Sequence, residues 1–462
     1  MTLIKSISGI RGTIGGSPGE NLTPLDIVKF TAAYGQMLID HSAHSQVKVV
    51  IGRDARISGP LVKHYVYNTL NAMGIDVVDL DLSTTPTVEI AVPLESASGG
   101  IIITASHNPG QWNALKLLNS SGEFISAEAG KKVIEWAEKL DFSFAEVDKL
   151  GSHRVDESYL LRHIEMVLNH PLVDREAIAN AGFHIAVDAV NSSGGIFVPA
   201  LLEELGVSKI ERLYCRPTGE FPHNPEPLPE NLTELSQTVR DKNCDLGITV
   251  DPDVDRLAFV NEDGSMFGEE YTLVAVADYV LSQKKGNTVS NLSSTRALRD
   301  VTENHGGEYY ASAVGEVNVV AKMREVDAVI GGEGNGGIID PQLHFGRDAL
   351  IGIGLFLTHL AKSAKTMTEL RKSYPEYHMA KKKIQLTPSI DVDAVLESMA
   401  QKYAMEKVNR TDGVKIDFAD EWVHLRKSNT EPIIRVYTEA KTSEKADALA
   451  DRVISEIQSL IS

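Results

Sequence analysis

Short apolar, β-branched runs alternate along this chain with longer stretches in which apolar positions recur at helical spacing. Residues 46–52 form such an apolar run, 60–73 carry helical spacing and stop at Gly74, and 75–82 again read as a strand. The alternation is the sequence form of a βαβ unit and predicts a largely parallel sheet. Ile101-Ile102-Ile103 predicts a further strand, buried inside that sheet. A polar, charged stretch at 146–156 reads as a linker. The rhythm then restarts, with helices at 159–168, 194–205 and 232–242 and strands at 183–187, 209–213 and 246–250, the last leading into Asp251. A third round has strands at 288–291, 308–312 and 328–331 and a helix at 348–364. Three α/β units of similar size suggest a repeated domain, without a short-period repeat of the solenoid kind.

The last segment has a different pattern. Strands at 381–385, 413–417, 422–425 and 433–439 follow one another, with helices at 392–403 and 443–461, as in a small α+β domain. The final helix places Ala446, Leu449, Val453, Ile457 and Leu460 on one face, ready to pack on a sheet. The fold class expected is α/β: three similar α/β domains with mixed sheets and a smaller C-terminal α+β domain. A chain of 462 residues exceeds one core, and the expected boundaries are 1–155, 156–256, 257–370 and 371–462.

Composition narrows the function. A net charge of −19 argues against a nucleic-acid partner, whose affinity rests on Lys and Arg neutralising phosphates. A phosphorylated small molecule remains compatible with it, held by a local basic cluster. Only Cys215 and Cys244 are present, so no disulfide framework is expected and a reducing compartment is implied. The first residues lack the apolar core of a signal peptide, and no run approaches the roughly 18 apolar residues of a membrane span. The expectation is a cytoplasmic protein with no membrane partner.

Four loops carry candidate chemistry. Thr104-Ala105-Ser106-His107-Asn108-Pro109 follows the buried Ile101–Ile103 run and puts a serine at a strand end. With His107 beside it and Lys116 nearby, that hydroxyl could act as a nucleophile or carry a phosphoryl group; the same residue types also build ordinary polar turns. Asp251-Pro252-Asp253-Val254-Asp255-Arg256 puts three carboxylates at alternating positions after a buried strand. Hard oxygen ligands of this kind suit magnesium, and the EF-hand spacing is absent. Arg426-Lys427-Ser428-Asn429-Thr430-Glu431-Pro432, with Arg435, offers guanidinium groups, hydroxyls and backbone N–H groups to a phosphate. Gly331-Gly332-Glu333-Gly334-Asn335-Gly336-Gly337 permits close backbone approach, with Glu333 and Asn335 able to bond vicinal hydroxyls or merely to sit in a tight turn. Two N-terminal segments, Ser8 to Gly12 and Gly52 to Ser58, set Arg11, Arg53 and Arg56 among small residues, to line the same pocket or to pair with surface carboxylates.

Together, and in this order, these motifs resemble those of the α-D-phosphohexomutase superfamily, which includes phosphoglucomutases, phosphomannomutases and phosphoglucosamine mutases. The resemblance runs through the whole chain. It implies four domains around a central cleft, acting on a small-molecule hexose phosphate as a monomer or homodimer. It implies that Ser106 carries a phosphoryl group, with Mg²⁺ held by Asp251, Asp253, Asp255 and a phosphoserine oxygen. Glu333 and Asn335 would hold sugar hydroxyls, and Arg426, Ser428, Asn429, Thr430 and Arg435 the phosphate not being transferred. Lys116 is the candidate general base or acid, with His107 and Arg11 supporting it. The implied reaction interconverts hexose 6-phosphate and hexose 1-phosphate through a 1,6-bisphosphate, which also serves as activator. Glucosamine phosphate is the substrate preferred, ahead of glucose or mannose phosphate; a phosphoserine-dependent sugar phosphatase and a non-catalytic sugar-phosphate sensor are the other readings. Three positions depart from the family pattern. Ala114 stands where Gly is frequent, and Asn335 stands where Ser is common, a form resembling archaeal-type and phosphoglucosamine-type members. Val317 lies where a Lys or Arg is usual, so that contact to substrate phosphate has to come from another basic group.

Overall fold

The computed structural model describes residues 2–461 apart from 7–8, 42–45, 387–389 and 428–432. The chain forms two compact units, one of Met1–Thr272 with Gly336–Leu370, the other of Leu273–Asn335 with Arg371–Ser462.

The first unit contains two sheets. Strands β1 (Ile4–Ser6), β2 (Gly9–Thr13), β3 (Lys48–Arg53), β4 (Asp76–Leu82), β5 (Gly99–Ile103), β6 (Trp112–Leu118) and β7 (His153–Val155) run in the order β1-β2-β6-β5-β3-β4-β7. The expected parallel core is β5-β3-β4-β7, while β6, β2 and β1 add an antiparallel half. The β3–β4 crossover is the helix Gly59–Ala72, started by Pro60 and ended before Gly74, whose φ of +83° needs a residue without Cβ. The stretch expected to be a plain linker contains β7, an exposed strand on the sheet's edge; its polar sequence reflects that exposure.

The second sheet has β8 (His184–Asp188), β9 (Lys209–Leu213), β10 (Leu246–Val250) and β11 (Leu257–Asn261), ordered β11-β10-β8-β9. Its three pairings repeat the pattern of the first: β9, β8 and β10 are parallel, and β11 returns antiparallel to β10. Strands β5 and β10 are buried at all five positions, which is why they read as continuous apolar runs. The short strand β15 (Gly337–Ile339) and the helix Ala349–Ser363, capped by the Asp348 carboxylate, also belong to this unit.

In the second unit, β12 (Asn287–Asn291), β13 (Tyr309–Ser312) and β14 (Ala328–Glu333) are parallel, with β12 between the other two. Strands β16 (His378–Gln385), β17 (Lys407–Asn409), β18 (Val414–Asp417), β19 (Trp422–Lys427) and β20 (Ile433–Ala440) form an antiparallel sheet ordered β16-β20-β19-β18-β17. The helices Val392–Lys402 and Ser443–Ile461 cover it with Leu396, Met399, Leu449, Val453 and Ile457. Leu460, expected on the same stripe, is 50% exposed in the helix's last turn. Among the described residues, no helix is long and apolar enough to cross a membrane.

Candidate active site

Ser106 lies in the connection from β5 to β6, and Lys116 sits on β6 opposite Ile102. The antiparallel return of the chain therefore brings the two side chains to one end of the sheet. Ser106 is 8% exposed and adopts φ +49°, a left-handed conformation that costs a residue with a Cβ on the order of 1 kcal/mol. Its N–H donates to Thr104 Oγ1 at 2.9 Å, and Thr104 in turn donates to Asp54 Oδ2 at 2.7 Å. Its own hydroxyl donates to Asp251 Oδ2 at 2.6 Å and lies 3.3 Å from His107 Nδ1.

Asp251 opens the loop between β10 and β11. Its Oδ1 accepts the N–H groups of Asp255 and Arg256 at 3.2 and 3.1 Å, which curls the loop back on itself. Val254 takes φ +63°, an outlier for a β-branched residue, and this turn sets Asp253 and Asp255 on the side facing Asp251. One carboxylate oxygen from each of the three aspartates lies within 4.8 Å of the others, and all three residues are fully buried. Among the described residues, the Oδ1 atoms of Asp253 and Asp255 have no hydrogen-bond partner. Buried carboxylate oxygens left without a donor, in an all-oxygen cluster, fit a hard divalent cation.

Cations neutralise the cluster from one side. Lys116 Nζ lies 2.6 Å from Asp253 Oδ2 and 3.3 Å from Asp255 Oδ2, and Arg347 Nη2 is 2.7 Å from the same Asp255 oxygen. Thr85 adds a hydroxyl bond to Asp253 Oδ2 at 2.5 Å and a backbone bond to its carbonyl. Burial opposes the charge on Lys116, but Asp253 and Asp255 outweigh it and raise its pKa. Burial and the two neighbouring carboxylates push Asp251 well above the usual range. Burial, followed by the charge of Arg256, keeps the His107 ring neutral, well below its ordinary pKa. Arg11, on β2 opposite Ala114, is half-buried and has no ion-pair partner among the described residues, and its charge is felt at His107.

The remaining predicted site residues belong to the second unit. Glu333 ends β14 and is buried; its Oε1 accepts Asn291 Nδ2 at 2.8 Å and the Gly315 N–H at 3.0 Å. Gly334 N–H donates to Ser294 Oγ, and Asn335 follows, partly buried. Arg426 and Arg435 face each other across β19 and β20. Arg426 Nε is 2.7 Å from Asp412 Oδ2, an oxygen that also accepts the Val314 N–H. Through Asp412 and the Val314–Gly315 turn, Arg426 and Glu333 are thus braced by one short stretch of backbone. Ser428, Asn429 and Thr430 lie outside the described residues.

The sequence models for the four successive domains of the phosphoglucomutase/phosphomannomutase family match residues 3–144, 161–264, 268–377 and 382–456. The chain belongs to this family. A Thermococcus kodakarensis protein named phosphoglucomutase/phosphomannomutase is 35% identical over 94% of this chain and 95% of its own length. A Methanopyrus kandleri protein named "probable phosphoglucosamine mutase" is 33% identical over 97% and 96%. A solved phosphoglucomutase/phosphomannomutase family protein from Burkholderia thailandensis superimposes with a TM-score of 0.85 at 25% identity, covering 99% of this chain and 98% of that one. The architecture is the family's four-domain one, mixed sheets in three α/β domains and a smaller C-terminal domain, and the activity is that of a phosphohexomutase, an isomerase-class phosphotransferase.

Several residues that touch the predicted positions were not singled out by sequence reasoning. Thr85 and Arg347 touch the aspartate loop, and Asp412 holds Arg426. Arg347 carried one visible signal, its place directly before the N-cap Asp348, at a helix start. Arg53 and Arg56 separate clearly: Arg53 pairs with Asp81 near the surface, while the Arg56 guanidinium is fully buried against Asp54.

Proposed function

We propose that the protein interconverts glucosamine 6-phosphate and glucosamine 1-phosphate, with Ser106 as phosphoryl carrier and a 1,6-bisphosphate as intermediate and activator. The observation that carries this reading is the 2.6 Å contact of Ser106 Oγ with Asp251, beside two buried carboxylates whose second oxygens lack donors. Those oxygens would hold Mg²⁺ together with a phosphoserine oxygen, and its chemistry there is neutralisation of charge on the phosphoryl group. Lys116, kept protonated by its two carboxylate neighbours, donates a hydrogen bond or proton at the oxygen being exchanged. His107, neutral, orients the serine loop, and Arg11 offers its guanidinium to phosphate oxygens. Glu333 and Asn335 orient the sugar, while Arg426 and Arg435, with Ser428, Asn429 and Thr430, grip the phosphate that stays in place. The amino sugar is favoured by Asn335 and by the name of the 33%-identical relative. Glucose or mannose phosphate is the second reading, favoured by the name of the 35%-identical one.

The test is a coupled assay of glucosamine, glucose and mannose phosphates side by side, with Mg²⁺ and a trace of hexose 1,6-bisphosphate. A clear excess of kcat/KM for the amino sugar supports the proposal. Equal rates on all three remove the substrate preference, and net phosphate release without isomerisation refutes the mutase reaction.

A further inference from the structure

One guanidinium accounts for the shape of the serine loop. Arg56 Nε donates to Asp54 Oδ2 at 2.9 Å, Nη1 to the carbonyls of Pro109 at 2.7 Å and Trp112 at 3.0 Å, and Nη2 to those of Asn108 at 2.7 Å and Ser106. An arginine has five N–H donors, and here each has one partner. The group is fully buried, and the Phe221 ring lies 5.1 Å from its central carbon. With no donor left over, Arg56 cannot also bind a substrate phosphate. It instead gathers four carbonyl dipoles of the 106–112 segment on one cation. The Ser106 carbonyl is drawn to Arg56 while the Ser106 side chain reaches Asp251, and the left-handed φ of +49° joins the two. Several charge-assisted bonds together outweigh the modest cost of that backbone conformation.

The same short segment reaches the aspartate loop. Ala55 N–H donates to Ser192 Oγ at 3.3 Å, and Ser192 donates to the Pro252 carbonyl at 2.7 Å. Asp54, which anchors Arg56, also accepts the Thr104 hydroxyl that receives the Ser106 N–H.

We propose that Arg56 is a positioning residue for phosphoryl transfer: with Asp54 it turns the carbonyls of the serine loop away from the carboxylate triad and sets Ser106 Oγ in register with Asp251. The proposal rests on Ser106 being the phosphoryl carrier. A lysine, with three donors on a single nitrogen and no planar fork, cannot reproduce the clamp.

The experiment compares wild type with Arg56→Lys and Arg56→Met, reading kcat and KM separately and the phosphoserine by ³¹P NMR. Both variants should lose about 100-fold or more in kcat with KM within about threefold, because the sugar and its distal phosphate are bound elsewhere. The ³¹P resonance should shift or broaden in both. Free guanidinium should partly restore kcat to Arg56→Ala. A kcat within about threefold of wild type in both variants, or a loss confined to KM, overturns the proposal. If Arg56→Met does not fold, the same readings on Arg56→Lys decide. If wild type shows neither phosphoserine nor isomerisation, the reading of Ser106 fails. Amide exchange over residues 104–112 then decides the clamp alone: faster exchange in Arg56→Lys supports it, and unchanged exchange overturns it.

Discussion

Lys116 neutralises two of the carboxylates that would hold a metal, and replacing it by methionine tests that idea directly. Its ammonium lies 2.6 Å from Asp253 and 3.3 Å from Asp255, and all three groups are buried. Removing it leaves Asp253 with the Thr85 hydroxyl and the neighbouring Asp251, and Asp255 with Arg347. Breaking a buried ion pair from one side typically costs about 3–5 kcal/mol. A cooperative unit of roughly 300 residues unfolds with an entropy of about 0.6 kcal/mol/K, so the midpoint should fall by about 5–8 °C in metal-free buffer. Mg²⁺ should then recover more of the loss than it adds to wild type, because the charge of the two carboxylates is no longer neutralised by the ammonium. At a hundredfold excess over Kd the recovery is about 2.7 kcal/mol, or about 4 °C. Differential scanning calorimetry of both proteins, in EDTA and in Mg²⁺, reads all four midpoints. A Lys116→Met midpoint in EDTA within about 1 °C of wild type refutes the argument. So does an equal Mg²⁺ shift in the two proteins.

Further outcomes can be checked alongside. Glu333→Gln keeps the oxygen that accepts Asn291 and Gly315 but loses the charge; kcat/KM should fall by about 10–100-fold with the thermal midpoint nearly unchanged. Lys415 donates to the Leu292 carbonyl and stacks on Trp422, facing Asp417, Glu439, Arg296 and Arg299, and burial lowers its pKa to about 8. The unfolded chain then binds more protons than the folded one between pH 8 and about 10.4, so stability should rise across that window by on the order of 3 kcal/mol relative to Lys415→Met, as measured by urea unfolding at several pH values. Asp348 is buried, and its pairing with His163 and His344 outweighs burial and holds its carboxyl below the usual range. Asp348→Asn should destabilise by about 3–5 kcal/mol at neutral pH, and the gap to wild type should narrow as pH falls below about 4, because a depressed carboxyl stabilises only above its unfolded pKa.

The elements that sequence patterning located well are those whose faces are unambiguous. Strand β10 is buried on both faces and the helix Tyr159–Leu168 on one, and both were expected within their observed bounds. Strand β7 was missed because all its residues are exposed; an edge strand with a polar sequence is indistinguishable from a linker until its neighbour β4 is known. The antiparallel half of the first sheet was equally hidden. Strand β2 is glycine-rich, and β6 carries Asn113 and Lys116, two polar residues that break its apolar pattern.

The candidate loops were legible for a structural reason. In each α/β repeat a buried strand, parallel to an inner neighbour, ends in the chemically distinctive loop: β5 beside β3 leads to Ser106, β10 beside β8 to Asp251, and β14 beside β12 to Glu333. Open α/β sheets bind ligands outside the carboxyl ends of such strands, so an apolar run followed by charged or hydroxyl residues marks both the fold and the chemistry at once. The groups that escaped notice reach the site differently. Arg347 and Thr85 come from helix starts, where sequence spacing carries no information about the aspartate loop they meet. Arg56 is harder still, since four of its five partners are carbonyl groups, which every residue possesses. A cation that recognises backbone leaves no complementary residue to find, so its role could be read only once the loop it holds had been folded around it.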